Sequence, residues 1–532
     1  MTLASILGRA LAVTGIAVAL VFAACGSTGR SAVAAHPDGA LTAIDPEAPY
    51  RDVLKVGIVA NPPTLDVHAI NSNIVSCIGM HIYEPLFSLD KDRNPKPVLA
   101  KSYEVSDDGL TYTIRLRDNV KFHNGKTMDA NDVVASMNAW LARSARAELL
   151  AGSEFSALDE RTVRLTVPEP MVDVINQLAA PMQFAAVYPA SVVEAAAGGD
   201  IGEYVGTGPY RLSEWKDGEE VRLSRFDGYS QPEGGASGLT GRKDAVSSVI
   251  DFKVIPDDND RLRALRTGIV DVAEELPLKC YEEIFDARNF KPTVQPGGTM
   301  SLFLNTSEGP LADFDLRQAV LASLDMDEIM QATYGDERFF VLDPGWNPLK
   351  DAQWHSEAGE ALYNQRDYAK AEKLMAKAGY RGQALTLVTT FDYSDMYTAS
   401  LVVQEQLRKA GFDVRLEASD FATFMERRAD PGQYDLFITS NAYVPSPAQL
   451  CVLSPAWAGL DVPEAAQGVA KMRAAKSAEE AKAAWDETQA FLYDYGAATV
   501  LGHYASFYAM GSGVDGFAYL RYPIYWNAGV RA

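Results

Sequence analysis

Residues 99–134 read LAKSYEVSDDGLTYTIRLRDNVKFHNGKTMDANDVV, and the period of their apolar residues changes once along the way. Leu110, Tyr112, Ile114 and Leu116 alternate with Thr111, Thr113, Arg115 and Arg117, the period of a half-buried strand. Asp108-Gly109 and Asn124-Gly125 bracket it with turn chemistry. Beyond them Val133, Met137, Trp140 and Leu141 share one helical face, behind Asp129 as N-cap. The same reasoning finds a strand at 385–390 and a helix carrying Met396, Ala399, Val403, Leu407 and Ala410, stopped by Gly411. A further strand follows with Phe412, Val414 and Leu416 on one face, so this segment is a parallel crossover unit. Leu436-Phe437-Ile438, after Asp435, reads as a buried parallel strand. Asp325 with Glu328 predicts a capping box, and Gly206 to Pro209 a change of chain direction before a strand. The class is α/β.

The N-terminus belongs to no fold. Arg9 precedes an apolar run ending at Ala24, too short to span a membrane comfortably and closed by small residues, which predicts an export signal over residues 1–24. Val21-Phe22-Ala23-Ala24-Cys25-Gly26 resembles a bacterial lipobox with Phe22 where Leu is usual, and the resemblance implies cleavage before Cys25 and lipidation of its sulfur. Residues 25–50 are then the lipidated cysteine and a Gly-, Ser-, Ala- and Pro-rich tether, whose ~5–6 Å × √n reach is roughly 25–30 Å. No later stretch approaches ~18 consecutive apolar residues, so contact with the membrane is expected through the lipid anchor only.

Composition narrows the partners. The roughly 480 residues past the tether exceed what one core normally holds, predicting two or three domains. With 71 acidic against 48 basic residues the net charge is −23, and no Lys/Arg patch suits a phosphate backbone, which argues against nucleic acid. Cys77, Cys280 and Cys451 lack CxxC spacing; Cys280 with Cys451 is a pair that could bridge in an oxidising compartment. His36, His68, His81, His123, His355 and His503 are scattered without ligand spacing, so neither a metal site nor a cofactor is expected. There is no GxSxG, HExxH, P-loop or GxGxxG after a strand. Ser213-Glu-Trp-Lys216 matches SxxK, but two fixed residues recur by chance about once in a chain this long, and a binding protein rather than an enzyme is expected.

The stretch 99–134 is also similar to the signature of the family 5 extracellular solute-binding proteins, the peptide, dipeptide and nickel class. Gly206-Thr-Gly-Pro-Tyr210 with Trp215, Ile255-Pro-Asp-Asp258, Leu265-Arg-Thr-Gly-Ile-Val-Asp271, Leu302-Phe-Leu-Asn305 and Asp315-Leu-Arg-Gln-Ala319 with Leu324-Asp325 resemble its later blocks. Tyr368 to Tyr380 and Tyr434-Asp-Leu436 complete the order. The resemblance implies a type II periplasmic-binding-protein-like fold of two lobes with an extra subdomain inserted in lobe I. Lobe I would be residues 51–90, 205–297 and 505–532, the inserted subdomain 91–204 and lobe II 298–504, with crossings near Thr299–Leu304 and His503–Phe507. It further implies a monomeric, exported, periplasmic or cell-surface component of an ABC importer. Such a component captures a peptide-like or modified small solute between the lobes and delivers it to permease subunits; the alternative is an opine-like solute, a sugar conjugate or a metal chelate.

The ligand-binding candidates follow from position. Ser440, Asn441 and Tyr443 lie beyond a buried strand, where α/β sheets collect ligands, and Tyr393 lies beyond strand 385–390 for the same reason. Trp346 sits in a Pro- and Gly-containing segment expected to cover the cleft, and the resemblance implies that Gln183 and Phe184 face it from the inserted subdomain. Peptide-binding relatives place an acid shortly after the strand that begins here at Asp435, to pair with the ligand's ammonium. Residues 439–447, Thr-Ser-Asn-Ala-Tyr-Val-Pro-Ser-Pro, contain none. The expectation is therefore that free peptides bind weakly unless an acid arrives from elsewhere, and that a solute without a free ammonium at that end binds better.

Overall fold

The computed structural model describes residues 44–45, 47–70, 72–349, 351, 353–391, 393–444, 446–453 and 462–532. The export signal, Cys25 and His36 lie outside the described residues. One sheet of eleven strands links both halves of the molecule, and two long strands run through its middle. Its order is Asp413–Ser419, Ala384–Thr390, Leu436–Asn441, Phe290–Leu304, Ala498–Gly511, Val272–Ala273, Val53–Ile58, Val249–Val254, Glu220–Arg225 and Tyr210–Lys216, with Phe340–Val341 added beside Ala498–Gly511. Ala384–Thr390 is parallel to both its neighbours, and the helix Ser394–Ala410 makes the crossover, ending at Gly411 with φ +106°. The α/β class and the crossover unit are as the periodicity predicts.

The long strands carry the chain between halves. Phe290–Pro296 pairs with Ala505–Gly511, whereas Thr299–Leu304 pairs with Leu436–Asn441 on its other edge. The register breaks between Pro296 and Gly298 and again between Met300 and Ser301. Glycine is required at the first break, because a Cβ on Gly298 would lie 2.1 Å from the Asn441 carbonyl oxygen, and one on Gly297 2.4 Å from the Tyr504 ring.

Two apolar cores flank these strands. The first gathers residues from 54–252 with the C-terminal Val514–Val530; the second is built mainly from 300–509. Leu262, Leu265, Tyr281 and Ile284, from the stretch read as lobe I, pack in the second core. A separate antiparallel sheet (Ala100–Val105, Thr111–Leu116, Thr162–Thr166, Glu154–Asp159) is backed by the helix Ala130–Arg143, whose Val133, Met137 and Trp140 are fully buried. Asp129 caps that helix by accepting from the Asn131 and Asp132 amides, and Asp132 returns a bond to the Asp129 amide. The box predicted at Asp325 is half made. Asp325 accepts from the Glu328 amide, but the Glu328 carboxylate is taken by the Gln406 side chain at 2.8 Å.

The first core also holds an ion pair. Lys243 and Glu84, with side chains 3% and 1% exposed, meet at 2.7 Å. Glu84 accepts further hydrogen bonds from Tyr229 and Thr207, and Lys243 sits over the Trp526 ring. Both carboxylate oxygens thus keep donors after leaving water, the condition for a buried pair to be tolerated.

Candidate functional site

Between the two cores lies a cleft of about 1760 Å³. One wall comes from Asn73, Arg146, Met182 and Glu275, the other from Tyr334, Asp395, Ser440 and Asn441, and its floor includes Tyr504 and Ser506 of a crossing strand. Contacts bridge its mouth: Arg473 reaches the Leu149 carbonyl and Glu169, and Gln449 bonds to Gln177.

Of the sequence candidates, Ser440, Asn441 and Tyr393 line this cleft. Asn441 ends its strand; its Oδ1 accepts from Cys451 Sγ at 3.4 Å, and its buried Nδ2 has no hydrogen-bond partner among the described residues. Ser440 donates to Asp395 at 3.2 Å. Tyr393 is half-exposed, its ring edge-on to Phe421.

The other four do not reach the cleft. Tyr443 turns away to stack on His503. Burial lowers the pKa of that imidazole and its Nε2 faces the Gly345 carbonyl at 2.9 Å, so Nδ1 is left to accept the Tyr443 hydroxyl at 3.0 Å. Trp346 is buried in the second core, edge-on to Phe303, so the expected cleft cover is a packing residue. Gln183 is buried with φ +48° and spends its amide on the His68 carbonyl, and Phe184 is in the first core. These corrections share a cause: local sequence signalled loops, and tertiary packing decided which way their side chains turned.

Acids from other elements line the cleft. Asp395, in the first turn of the helix Ser394–Ala410, accepts from Ser440 and from the Tyr334 hydroxyl, each at 3.2 Å, and the helix's positive end favours its charge. The Tyr334 ring stacks on Tyr504 beside it. From the opposite wall Glu275 enters the cleft with φ +46°, a left-handed conformation that costs roughly 1 kcal/mol or more for a residue with a Cβ. Its side chain meets the solvent of the cleft but is enclosed by protein, and this desolvation raises its pKa. Arg261 opposes that shift and the Asp395 charge adds to it.

Cations line the same space. Enclosure by protein lowers the pKa of Arg146; among the described residues its buried Nε has no partner, and its guanidinium bonds to Met182 Sδ at 3.6 Å. Arg473 carries a second unpartnered Nε. Cys77, Cys280 and Cys451 are all free thiols, so Cys280 and Cys451 do not bridge. Among the described residues no cluster of His, Cys, Asp or Glu could hold a metal, and no helix is long and apolar enough to cross a membrane. Ser213 lies on the strand Tyr210–Lys216, away from the cleft; its hydroxyl bonds to the Arg222 carbonyl while Lys216 pairs with Glu220.

Residues 94–453 match the model of the bacterial extracellular solute-binding proteins, family 5. The chain belongs to this family. It is thus a solute-binding component of an ABC importer and works outside the cytoplasm. Among family relatives, the "Probable peptide ABC transporter periplasmic-binding protein y4tO" of Sinorhizobium fredii is 27% identical over 88% of this chain and 91% of its own. The glutathione-binding protein GsiB of Salmonella paratyphi A is 30% identical over 70% of this chain and 71% of its own. Two solved structures share the fold. AgaA of A. tumefaciens R10, in complex with agropinic acid, aligns with a TM-score of 0.74 at 24% identity, covering 90% of this chain and 99% of its own. NikA of Brucella suis, in complex with Fe(III)-EDTA, aligns at 0.76 and 22%, covering 88% and 97%.

Proposed function

We propose that this family 5 protein is a lipid-anchored monomer that captures a peptide-like solute in the cleft and hands it to permease subunits. The carrying observation is Asn441. Its buried amide nitrogen, at the end of a central strand and lining the cleft, has no partner among the described residues, and such a donor is costly unless a bound molecule satisfies it. The cleft's volume exceeds the ~300–1,000 Å³ usual for small-ligand pockets, which suits a solute of several residues. Relatives named for peptide and glutathione binding agree with this reading. In it, residues 51–90, 205–297 and 505–532 form one lobe carrying the 91–204 subdomain, and 298–504 the other. The strands Phe290–Leu304 and Ala498–Gly511 act as the hinge. A solute touching both walls then favours the closed form by its differential affinity.

A non-peptide solute is the second reading, favoured by the uncharged stretch 439–447 and by the agropinic acid and Fe(III)-EDTA complexes of proteins with this fold. Native mass spectrometry of protein purified from its own host should reveal a retained solute, recovered chemically unchanged. Asn441→Ala should weaken that solute's binding by ~1–3 kcal/mol in calorimetry. Unchanged affinity would remove Asn441 from the site and the cleft from this role. Anchoring has its own test: Cys25→Ser should move the protein from the membrane fraction to the soluble exported fraction, and unaltered membrane association would refute the lipid anchor.

A further inference from the structure

The bonds that Arg473 and Gln449 make across the mouth of the cleft land on one stretch, residues 91–204. Arg473, in the last turn of the helix Pro463–Ala474, donates to the Leu149 carbonyl at 3.2 Å, meets Met171 Sδ at 3.7 Å and pairs with Glu169 at 3.2 Å. Its helix is no loose strap, since it lies so close on the helix Ala478–Tyr495 that a Cβ on Gly468 would fall 2.2 Å from Thr488 Oγ1. Gln449 donates to the side chain of Gln177, which is buried and tied to Asp173 at 2.7 Å. Beside the crossing strands the reach runs the other way. Arg93, in the turn between Phe87–Leu89 and Pro95–Pro97, lies over the Tyr443 ring at 5.8 Å. Its φ of +63° is held by Asp90, which accepts from the Asp92 and Asn94 amides at 2.9 Å each. Desolvation raises the pKa of Asp351, and the charge of Arg93 opposes that rise. Arg338 also pairs with Glu282, but Tyr281 beside it belongs to the second core, so that pair lies within one half of the molecule.

Each link is weak alone. Arg473 and Glu169 are 27% and 58% exposed, so water and salt screen their attraction, and neither Arg473 Nε nor Gln449 Oε1 has a partner among the described residues. Separate links carried on one rigid body nevertheless act together, because the first to form holds the others at high effective concentration. The geometry points to a clasp: the inserted stretch 91–204 grips the other half at the mouth through Glu169, the Leu149 carbonyl and Gln177, and beside the hinge through Arg93. Arg473 is the central positioning residue of this clasp. The idea rests on the division into lobes proposed above, and it gives the insertion a task of its own. Groups inside the cleft decide which solute is taken; bonds between the two halves set how long any solute is kept.

The test needs no solute. X-ray scattering of the Cys25→Ser chain, dialysed free of solute, reads closure as radius of gyration, and thermal melting checks that each further variant is folded. Arg473→Gln and Glu169→Gln should each lower the ratio of closed to open chains by about two- to fivefold, and their combination should lower it no further, since both break one link. Arg93→Gln should add its own expansion to theirs, and Arg473→Lys should restore part of the loss. Added salt should expand the parent chain toward the Arg473→Gln value and leave that variant unchanged, a response that a merely structural residue would not give. Scattering curves of Arg473→Gln and Arg93→Gln that superimpose on the parent's, or a salt response that persists in full in Arg473→Gln, would overturn the clasp. Either result leaves the solute site standing, because Asn441→Ala is scored by affinity and not by closure.

Discussion

Glu84 and Glu275 are both carboxylates enclosed by protein, one sealed in the first core and one open to the solvent of the cleft, and the protein treats them in opposite ways. Glu84 receives Lys243, Tyr229 and Thr207, so its charge is fully answered within the fold. Among the described residues nothing bonds to the Glu275 carboxylate, which lines the same cleft as Asp395. Glu274, one residue earlier, is a third case: buried and bonded to the Tyr525 hydroxyl at 2.7 Å, it has its pKa pushed up to about 8 by desolvation and is neutralised by a proton. An internal partner marks a residue that holds the structure. A carboxylate open to the solvent of a cavity is answered by water and needs no such partner.

Three measurements would break or sharpen that contrast. The largest effect is expected at the matched pair, where Lys243→Ala strands Glu84 without its cation and should cost ~3–5 kcal/mol of unfolding free energy in urea titration. A loss below about 1 kcal/mol would show that the tyrosine and threonine bonds alone suffice.

Glu274→Gln should act with pH. The folded pKa of about 8 stands above the ~4.3 of an unfolded glutamate, so between those values the folded state binds the extra proton, and the group's contribution to stability falls as pH rises through that window. The variant should melt like wild type near pH 4 and gain on the order of 1–3 kcal/mol by pH 8–9. A difference independent of pH would mean that Glu274 is not held by a proton.

The smallest change in stability is expected at the unmatched acid. Glu275→Gln should alter unfolding free energy by no more than about 0.5 kcal/mol, or raise it slightly by removing a charge from the cleft wall. A marked loss of stability would place Glu275 with Glu84 instead.

The contrast also explains what the sequence disclosed. Strands 384–390 and 413–419 with the helix between them are long enough to show their periods, and they lie where those periods predict. The rule that ligands gather at carboxyl ends of strands led to Tyr393, which lines the cleft, and passed over Asp395 two positions on, which bonds Ser440. Glu275 follows the strand Val272–Ala273, too short to have a period, and Arg146 sits in the short 3-10 helix Ala145–Leu150. Trp346 shows the reverse failure, since proline and glycine nearby announced a loop while burial, a property of the whole fold, made it core. The Lys243–Glu84 pair spans 159 residues and has no local signature at all.

The strand Ala498–Gly511 has one more consequence, for the order in which the molecule can be made. It pairs with Phe290–Leu304 along nearly its whole length and, through Met510 and Ala509, with Val272–Ala273, so it is the piece that joins the two halves of the large sheet. Until those residues emerge, Val272–Ala273 and Phe290–Leu304 each present an unpaired edge, the kind of surface that recruits other chains. A chain threaded through a membrane from its N-terminus thus exposes incomplete half-sheets from the passage of Ala273 until that of Ala498. Closing them waits on contacts distant in sequence, which are slow to form. Protection by chaperones during transit, more than the final stability of either core, should then govern how much of the protein is recovered intact.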